Sequence, residues 1–161
     1  MKVALAADHA GLDLKNGLVK YVKKLGHEVI DLGAYGYDAE DDYPDFASAV
    51  AISVQSGKTD RGILACGSGV GASITANKFG GIRAAICHDT YSASQGVNHD
   101  DMNVLCVGGR IIGMAVAKEL IFAFLNAEFD PVPRFSRRLK KLMDIESQNI
   151  SGTGGTSLGH K

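Results

Sequence analysis

The sequence predicts an α/β protein: a three-layer, doubly wound, Rossmann-like sheet of five parallel strands, with an additional helix at the C-terminal end. Three observations carry this reading. Short apolar runs alternate with longer amphipathic segments from residue 2 to about residue 127. The short runs are apolar almost throughout, as in strands covered on both faces. The segments between them are of helix length, so each connection is a crossover, which is right-handed almost without exception.

The elements follow in order. KVALAA (2–7) is the first strand. In the helical LDLKNGLVKYVKKLG (12–26), Leu14, Leu18, Tyr21, Val22 and Leu25 recur at three- and four-residue steps and form a core-facing stripe. HEVIDLG (27–33) is the second strand. The acidic, turn-rich AYGYDAEDDYPD (34–45) reads as a surface loop on a rim. Then come helix 43–57, strand RGILACG (61–67), helix GASITANKFG (71–80), strand IRAAICH (82–88) and helix TYSASQGVNH (90–99). The fifth strand, NVLCVGG (103–109), precedes helices at 113–127 and 137–149. Residues 1–150 are expected to form one domain. SGTGGTSLGHK (151–161) lacks the apolar content to pack and is expected to be a flexible tail.

Composition excludes several classes of function. A net charge of −1 gives no global attraction to nucleic acid or anionic lipid. No apolar run approaches the roughly 18 residues of a membrane span. The apolar N-terminal run meets Asp8 and His9 too early for a signal peptide, so a cytoplasmic location is expected. Three cysteines, odd in number and widely spaced, argue for reduced thiols rather than a disulfide framework or a zinc knuckle.

Ligands of open α/β sheets bind beyond the carboxyl ends of the strands. Asp8 and His9 follow the first strand, Cys66 and GSGVG the third, His88 and Asp89 the fourth, and Arg110 the fifth, with His99 and Asp100 just before the fifth. A thiol, histidines, a carboxylate and a glycine loop are thus expected at one sheet edge. Gly67, Gly69 and Gly71 let the backbone turn tightly and expose amides that, with the following helix N-terminus, suit an anion. The spacing is G-x-G-x-G rather than G-x-G-x-x-G. Asp89 stands about where a ribose-binding acid would, but the loop follows the third strand and no G-K-[ST] is present, so a nucleotide site is the weaker reading. Cys66, at the strand tip before a helix, is expected to have a lowered thiol pKa and to act as a nucleophile or base. Cys87 and Cys106 lie within apolar strands and read as core residues. His27, His88 and His160 read as polar surface groups. No ligand pair, Cys66 with His99 included, shows a recognisable metal spacing. Arg134 and Arg138, four apart in PRFSRRLKK, share a helix face and could clamp one phosphate.

These residues together resemble the B-type ribose-5-phosphate isomerases, a family that includes galactose-6-phosphate and allose-6-phosphate isomerases. The resemblance runs from Met1 to about residue 148. It is carried by DHAG (8–11), DYPDFA (42–47), GILACGSGVGASITANKFGGIRAA (62–85), HDDMNVLCVGGRIIG (99–113) and the Arg134/Arg138 pair. It implies cofactor- and metal-independent interconversion of a phosphorylated aldose and ketose, most simply ribose 5-phosphate and ribulose 5-phosphate. Cys66 would be the base moving a proton between C2 and C1, and Ser68 would bond the reacting end. The amides of Gly67, Ser68, Gly69, Val70 and Gly71 would hold the enediolate oxygen. His99 would open the furanose ring with Asp8 assisting, and His9, Arg110, Arg134 and Arg138 would contact the phosphate. The family's glutamate-base branch is excluded, because Ala72 stands at that position. Asp100 stands where members have asparagine, and a carboxylate cannot donate the hydrogen bond an amide can. The resemblance also implies a homodimer or homotetramer whose sites are shared, with His99 and Arg110 serving a neighbour. A six-carbon sugar phosphate is the alternative substrate, and a non-catalytic nucleotide- or sugar-phosphate-binding module the alternative of another class.

Overall fold

The computed structural model describes residues 1–150; the tail expected at 151–161 lies outside the described residues. The order is β1 (Lys2–Ala7), α1 (Leu12–Lys24), β2 (Glu28–Asp31), α2 (Tyr43–Gln55), β3 (Arg61–Cys66), α3 (Val70–Ala76), β4 (Ala84–Ile86), α4 (Thr90–Asp100), β5 (Val104–Gly108), α5 (Met114–Asn126) and α6 (Pro133–Ile150). The strands form one all-parallel sheet in the order β2-β1-β3-β5-β4.

Strand side chains alternate between faces, and the two cores divide accordingly. Val3, Leu5, Ile63, Leu105 and Val107 face α1 and α5, where Leu14, Leu18, Val22, Leu120 and Phe124 cover them. Ala4, Ala6, Leu64, Val104 and Cys106 face α2 and α3, meeting Ala47, Val50, Ala51, Ala72 and Ala76. The second layer is built largely of alanines, so its helices lie close to the sheet. The α1 stripe is buried as expected at Leu14, Leu18 and Val22, and it also carries a lysine inward. Lys15 is 1% exposed. Its ammonium donates to both oxygens of Asp31 (2.8 and 2.9 Å) and to the Ala34 carbonyl (2.9 Å). That pairing makes the buried charge tolerable and pins α1 to the carboxyl end of β2.

Three elements are shorter than their apolar runs. β2 and β4 are the sheet edges and pair on one side only. α3 ends at Ala76 because the Asn77 side chain turns to the sheet, accepting from the Ala84 amide (2.9 Å) and donating to its carbonyl (2.8 Å). An amide side chain there occupies the free edge of β4. Conversely, α6 begins at Pro133, a favourable first-turn residue, and so takes in both Arg134 and Arg138.

Candidate functional site

The winding reverses between β1 and β3, since β2 lies on one side of β1 and β3 on the other. Loops leaving the two strands diverge and open a crevice. The cleft found there has a volume of about 390 Å³ and is lined by Asp8, His9, Cys66, Gly67, Ser68, Gly71 and Arg110, with Tyr43 and Ile111 as its larger walls.

The loops are close-fitting for backbone reasons. Gly11 ends the β1–α1 turn against β3, where a Cβ would stand 2.3 Å from the carbonyl carbon of Ala65. Gly69 caps α3 at φ +86°, the left-handed region that glycine occupies without strain. The pairing of β3 with β5 continues past both strands: Gly109 N–H donates to the Cys66 carbonyl (2.7 Å) and Arg110 N–H to that of Gly67 (3.1 Å). The thiol-bearing and arginine-bearing loops are therefore extensions of one ladder.

Cys66 is buried and its Sγ–H donates to Asp8 Oδ2 at 2.9 Å. The other Asp8 oxygen accepts the Gly11 amide at 3.0 Å. This corrects the expected acidic thiol. Burial first, then the hydrogen bond to Asp8 and its negative charge, push Cys66 above the ordinary thiol range; the Gly67 and Gly69 amides directed at the sulfur only partly oppose them. α3 spans only seven residues and supplies a weak dipole, whereas the carboxylate touches the sulfur. The free protein thus holds a neutral thiol beside a carboxylate. The amides expected to await an oxyanion are partly engaged: those of Gly67 and Gly69 face sulfur, and that of Val70 donates to Ser68 Oγ at 3.3 Å.

The structure divides the remaining residues. His9 and Arg110 line this chain's own cleft. His99 does not, and the expectation of one sheet edge for all these groups is corrected. α4 starts after the carboxyl end of β4 and runs back toward the start of β5, so His99 and Asp100, in its last turn, lie at the opposite edge. Asp100 borders a separate cavity beside Arg83, Ala84 and Ala85, at the start of β4. The His99 ring stacks on Phe135 of α6, centroids 3.9 Å apart, and its Nδ1 pairs with Gln95 at 2.7 Å. Arg134 and Arg138, on the same first turns of α6, are exposed and form no ion pair among the described residues. A second group of candidate residues is thus gathered, away from the first.

Other sequence readings are sharpened. Asp89 caps α4, accepting the Ser92 amide at 2.7 Å, a structural duty unlike that of a ribose-binding acid. His88 is not a free surface group: its Nε2 accepts the Gly108 amide at 3.0 Å and steadies the turn before Arg110. Cys87 and Cys106 are buried core residues, and burial pushes the Cys87 thiol up to about 11. Asp41, which reaches His9, and the wall residue Ile111 were not singled out; Tyr43 could have been found from its place in DYPDFA. Among the described residues no group of three or more His, Cys, Asp or Glu is placed to hold a metal ion, and no helix is long and apolar enough to cross a membrane.

Comparison with known proteins places the chain in a family. Residues 3–142 match the family model described as Ribose/Galactose Isomerase. Ribose-5-phosphate isomerase B of Escherichia coli is 43% identical over 147 residues, 91% of this chain and 97% of that one. D-erythrulose-4-phosphate isomerase of Pectobacterium atrosepticum is 45% identical over 133 residues, 81% of this chain and 86% of the other. Among solved structures, ribose-5-phosphate isomerase B from Mycoplasma genitalium with bound ribulose-5-phosphate superposes with a TM-score of 0.87 at 38% identity, covering 91% of this chain and 97% of that one. On the family match and these relatives, the chain belongs to the ribose/galactose isomerase family.

Proposed function

We propose that this protein is an aldose–ketose isomerase that interconverts ribose 5-phosphate and ribulose 5-phosphate, with Cys66 as the base. The observation that carries the reading is the Cys66–Asp8 pair at the floor of the cleft. A thiol must lose its proton before it can take one from carbon, and Asp8 Oδ2 is the acceptor 2.9 Å away. With the open-chain aldose bound, the Sγ proton passes to Asp8 and the thiolate removes the C2 proton. The C2–H electron pair becomes the C1=C2 double bond of an enediolate, and the carbonyl electrons move onto O1. A proton then moves from O2 to O1, Sγ–H returns its proton to C1, and Asp8 gives its own back to sulfur. Amides of the 67–71 turn and Ser68 Oγ supply donors for the charge that develops on oxygen. His9 and Arg110 hold the phosphate.

Among the described residues, the cleft of one chain holds no group suited to opening the furanose ring beyond those already engaged, while His99, Arg134 and Arg138 stand together at the far edge. A homodimer or homotetramer in which a second copy brings that edge to this cleft joins the two halves. Exposed Val70, Ile74 and Ile111 beside the cleft supply apolar surface for such a contact. The three free thiols suit a reducing compartment, the cytoplasm.

The test is turnover by wild type and Cys66→Ala in D₂O, using ribose 5-phosphate, erythrulose 4-phosphate, allose 6-phosphate and galactose 6-phosphate. The pentose phosphate is expected to turn over fastest and to gain solvent deuterium, with kcat falling about 10³-fold in the variant. Faster turnover of a four- or six-carbon substrate keeps the mechanism and moves the substrate. Binding without turnover in wild type makes the protein a binding module.

A further inference from the structure

The loop between β2 and α2 brings to the cleft a side chain that the sequence pattern hides. Asp41 Oδ1 lies 2.6 Å from Nδ1 of His9, a cleft residue. The Asp41 side chain is only 9% exposed. Its second oxygen, Oδ2, is buried with no hydrogen-bond partner among the described residues. The nearby acids of the same loop, Asp38, Glu40 and Asp42, all stay exposed. A carboxylate withdrawn from water is unfavourable unless a cation or strong donor faces it, and the donor facing Asp41 is the His9 imidazole. When Nδ1 carries the hydrogen and gives it to Asp41, the tautomer and ring plane are set, and Nε2 is left for the cleft. Tyr37 meets the ring edge-on, centroids 5.8 Å apart and planes at 78°, and restrains it from a further side.

We propose that Asp41 is a positioning residue for the anionic end of the substrate: it holds His9 by Nδ1–H, so that Nε2–H is presented to the phosphate. The proposal rests on the reading of His9 as a phosphate contact. In that arrangement the ring's two N–H groups each face an anionic acceptor, Asp41 on one side and the phosphate on the other, and both hydrogen bonds are charge-assisted. The other charged groups about the ring are divided in sign. Asp8 is committed to Cys66 and the Gly11 amide. Arg110 brings a positive charge to the same cleft and meets the same phosphate. Asp41 therefore acts on the geometry of one phosphate contact rather than on the proton transfer at carbon.

Asp41→Asn keeps the shape of the side chain and removes its charge. With ribose 5-phosphate, KM is expected to rise about tenfold, the scale of one charge-assisted hydrogen bond, while kcat stays within about twofold. His9→Gln should raise KM at least as far. In the His9→Gln background, Asp41→Asn should then change KM by less than about twofold, because the two residues act through one contact. ¹⁵N NMR of wild type with bound inorganic phosphate should show both ring nitrogens of His9 protonated. If His9→Gln raises KM and Asp41→Asn does not, the role of Asp41 is overturned while the phosphate contact stands. Penalties that add in the double variant, or an unprotonated Nδ1 in wild type, overturn it equally. If His9→Gln leaves KM unchanged, the reading of His9 itself fails and takes the proposal with it.

Discussion

The two edges of the sheet are finished to different degrees. At the carboxyl edge, Asp8, His9, Cys66 and Arg110 converge on one cleft, and the carboxylate, the thiol and one imidazole nitrogen already have partners. At the amino edge, His99 lies flat on Phe135 while Asp100, Arg134 and Arg138 stand exposed. Residues that follow a strand are gathered by the fold itself at the switch point of the winding. Residues that precede a strand are gathered just as surely, but on the wrong side of the molecule to meet them. A chain of this topology can hold a thiol and a cation ready in one cleft; the proposed second copy is what would join them to His99.

The sharpest way to break this comparison is complementation. Cys66→Ala and His99→Gln, each expected to lose about 10³-fold in kcat, damage opposite edges. Unfolding and refolding an equal mixture should restore about a quarter of the wild-type activity, since hybrids carry one intact site built from the undamaged edge of each chain. No recovery would mean that the edges never combine. Smaller effects test how firmly the carboxyl edge is built. Lys15→Ala leaves Asp31 without its cation and should destabilise the protein by roughly 2 kcal/mol in urea titration. That is less than the ~3–5 kcal/mol of a fully enclosed pair, because the Asp31 side chain is 31% exposed. Gly69→Ala places a Cβ at φ +86° and 3.3 Å from the Val107 carbonyl carbon. It should cost about 1–2 kcal/mol, read from the same titrations. The smallest effect concerns the thiol. Because Asp8 raises the Cys66 pKa, Asp8→Asn moves it down, so more thiolate is present at neutral pH. Iodoacetamide should then alkylate Cys66 several-fold faster in the variant, and slowly in wild type until the pH rises past the ordinary thiol range. Slower labelling of the variant would make Asp8 an activator of the resting thiol instead.

How much of this was legible follows from the range of each interaction. The five strands and six helices follow from period and burial, which are local. Boundaries slipped where a side chain turned from its own element to the next, as at Asn77, which bonds Ala84 seven residues on, completes the edge of β4 and ends α3 early. The residues of the carboxyl edge were legible because each directly follows an apolar run. The direction of the Cys66 pKa was not: the amides and the helix are its neighbours in sequence, but the burial that raises it most is a tertiary property, and the carboxylate that adds to it is 58 residues away. Asp41 was hidden similarly, one acid among several in a loop, marked out only by the imidazole folded against it.

The ladder that runs on from β3 and β5 into their loops has one more consequence. It makes the cleft a rigid gauge. The backbone beneath the sulfur and the backbone beneath the Arg110 guanidinium are rungs of one framework, and neither can yield without breaking main-chain pairing. If Cys66 and Arg110 take the two ends of a sugar phosphate, as proposed above, that substrate is measured against a fixed length, from the carbon that loses its proton to the phosphorus. On the proposed function, adjustment for a longer or shorter sugar falls to the reach of the Arg110 side chain, which lines the cleft. Evolution of new substrates in this scaffold is therefore a matter of changing the arms and leaving the ruler alone.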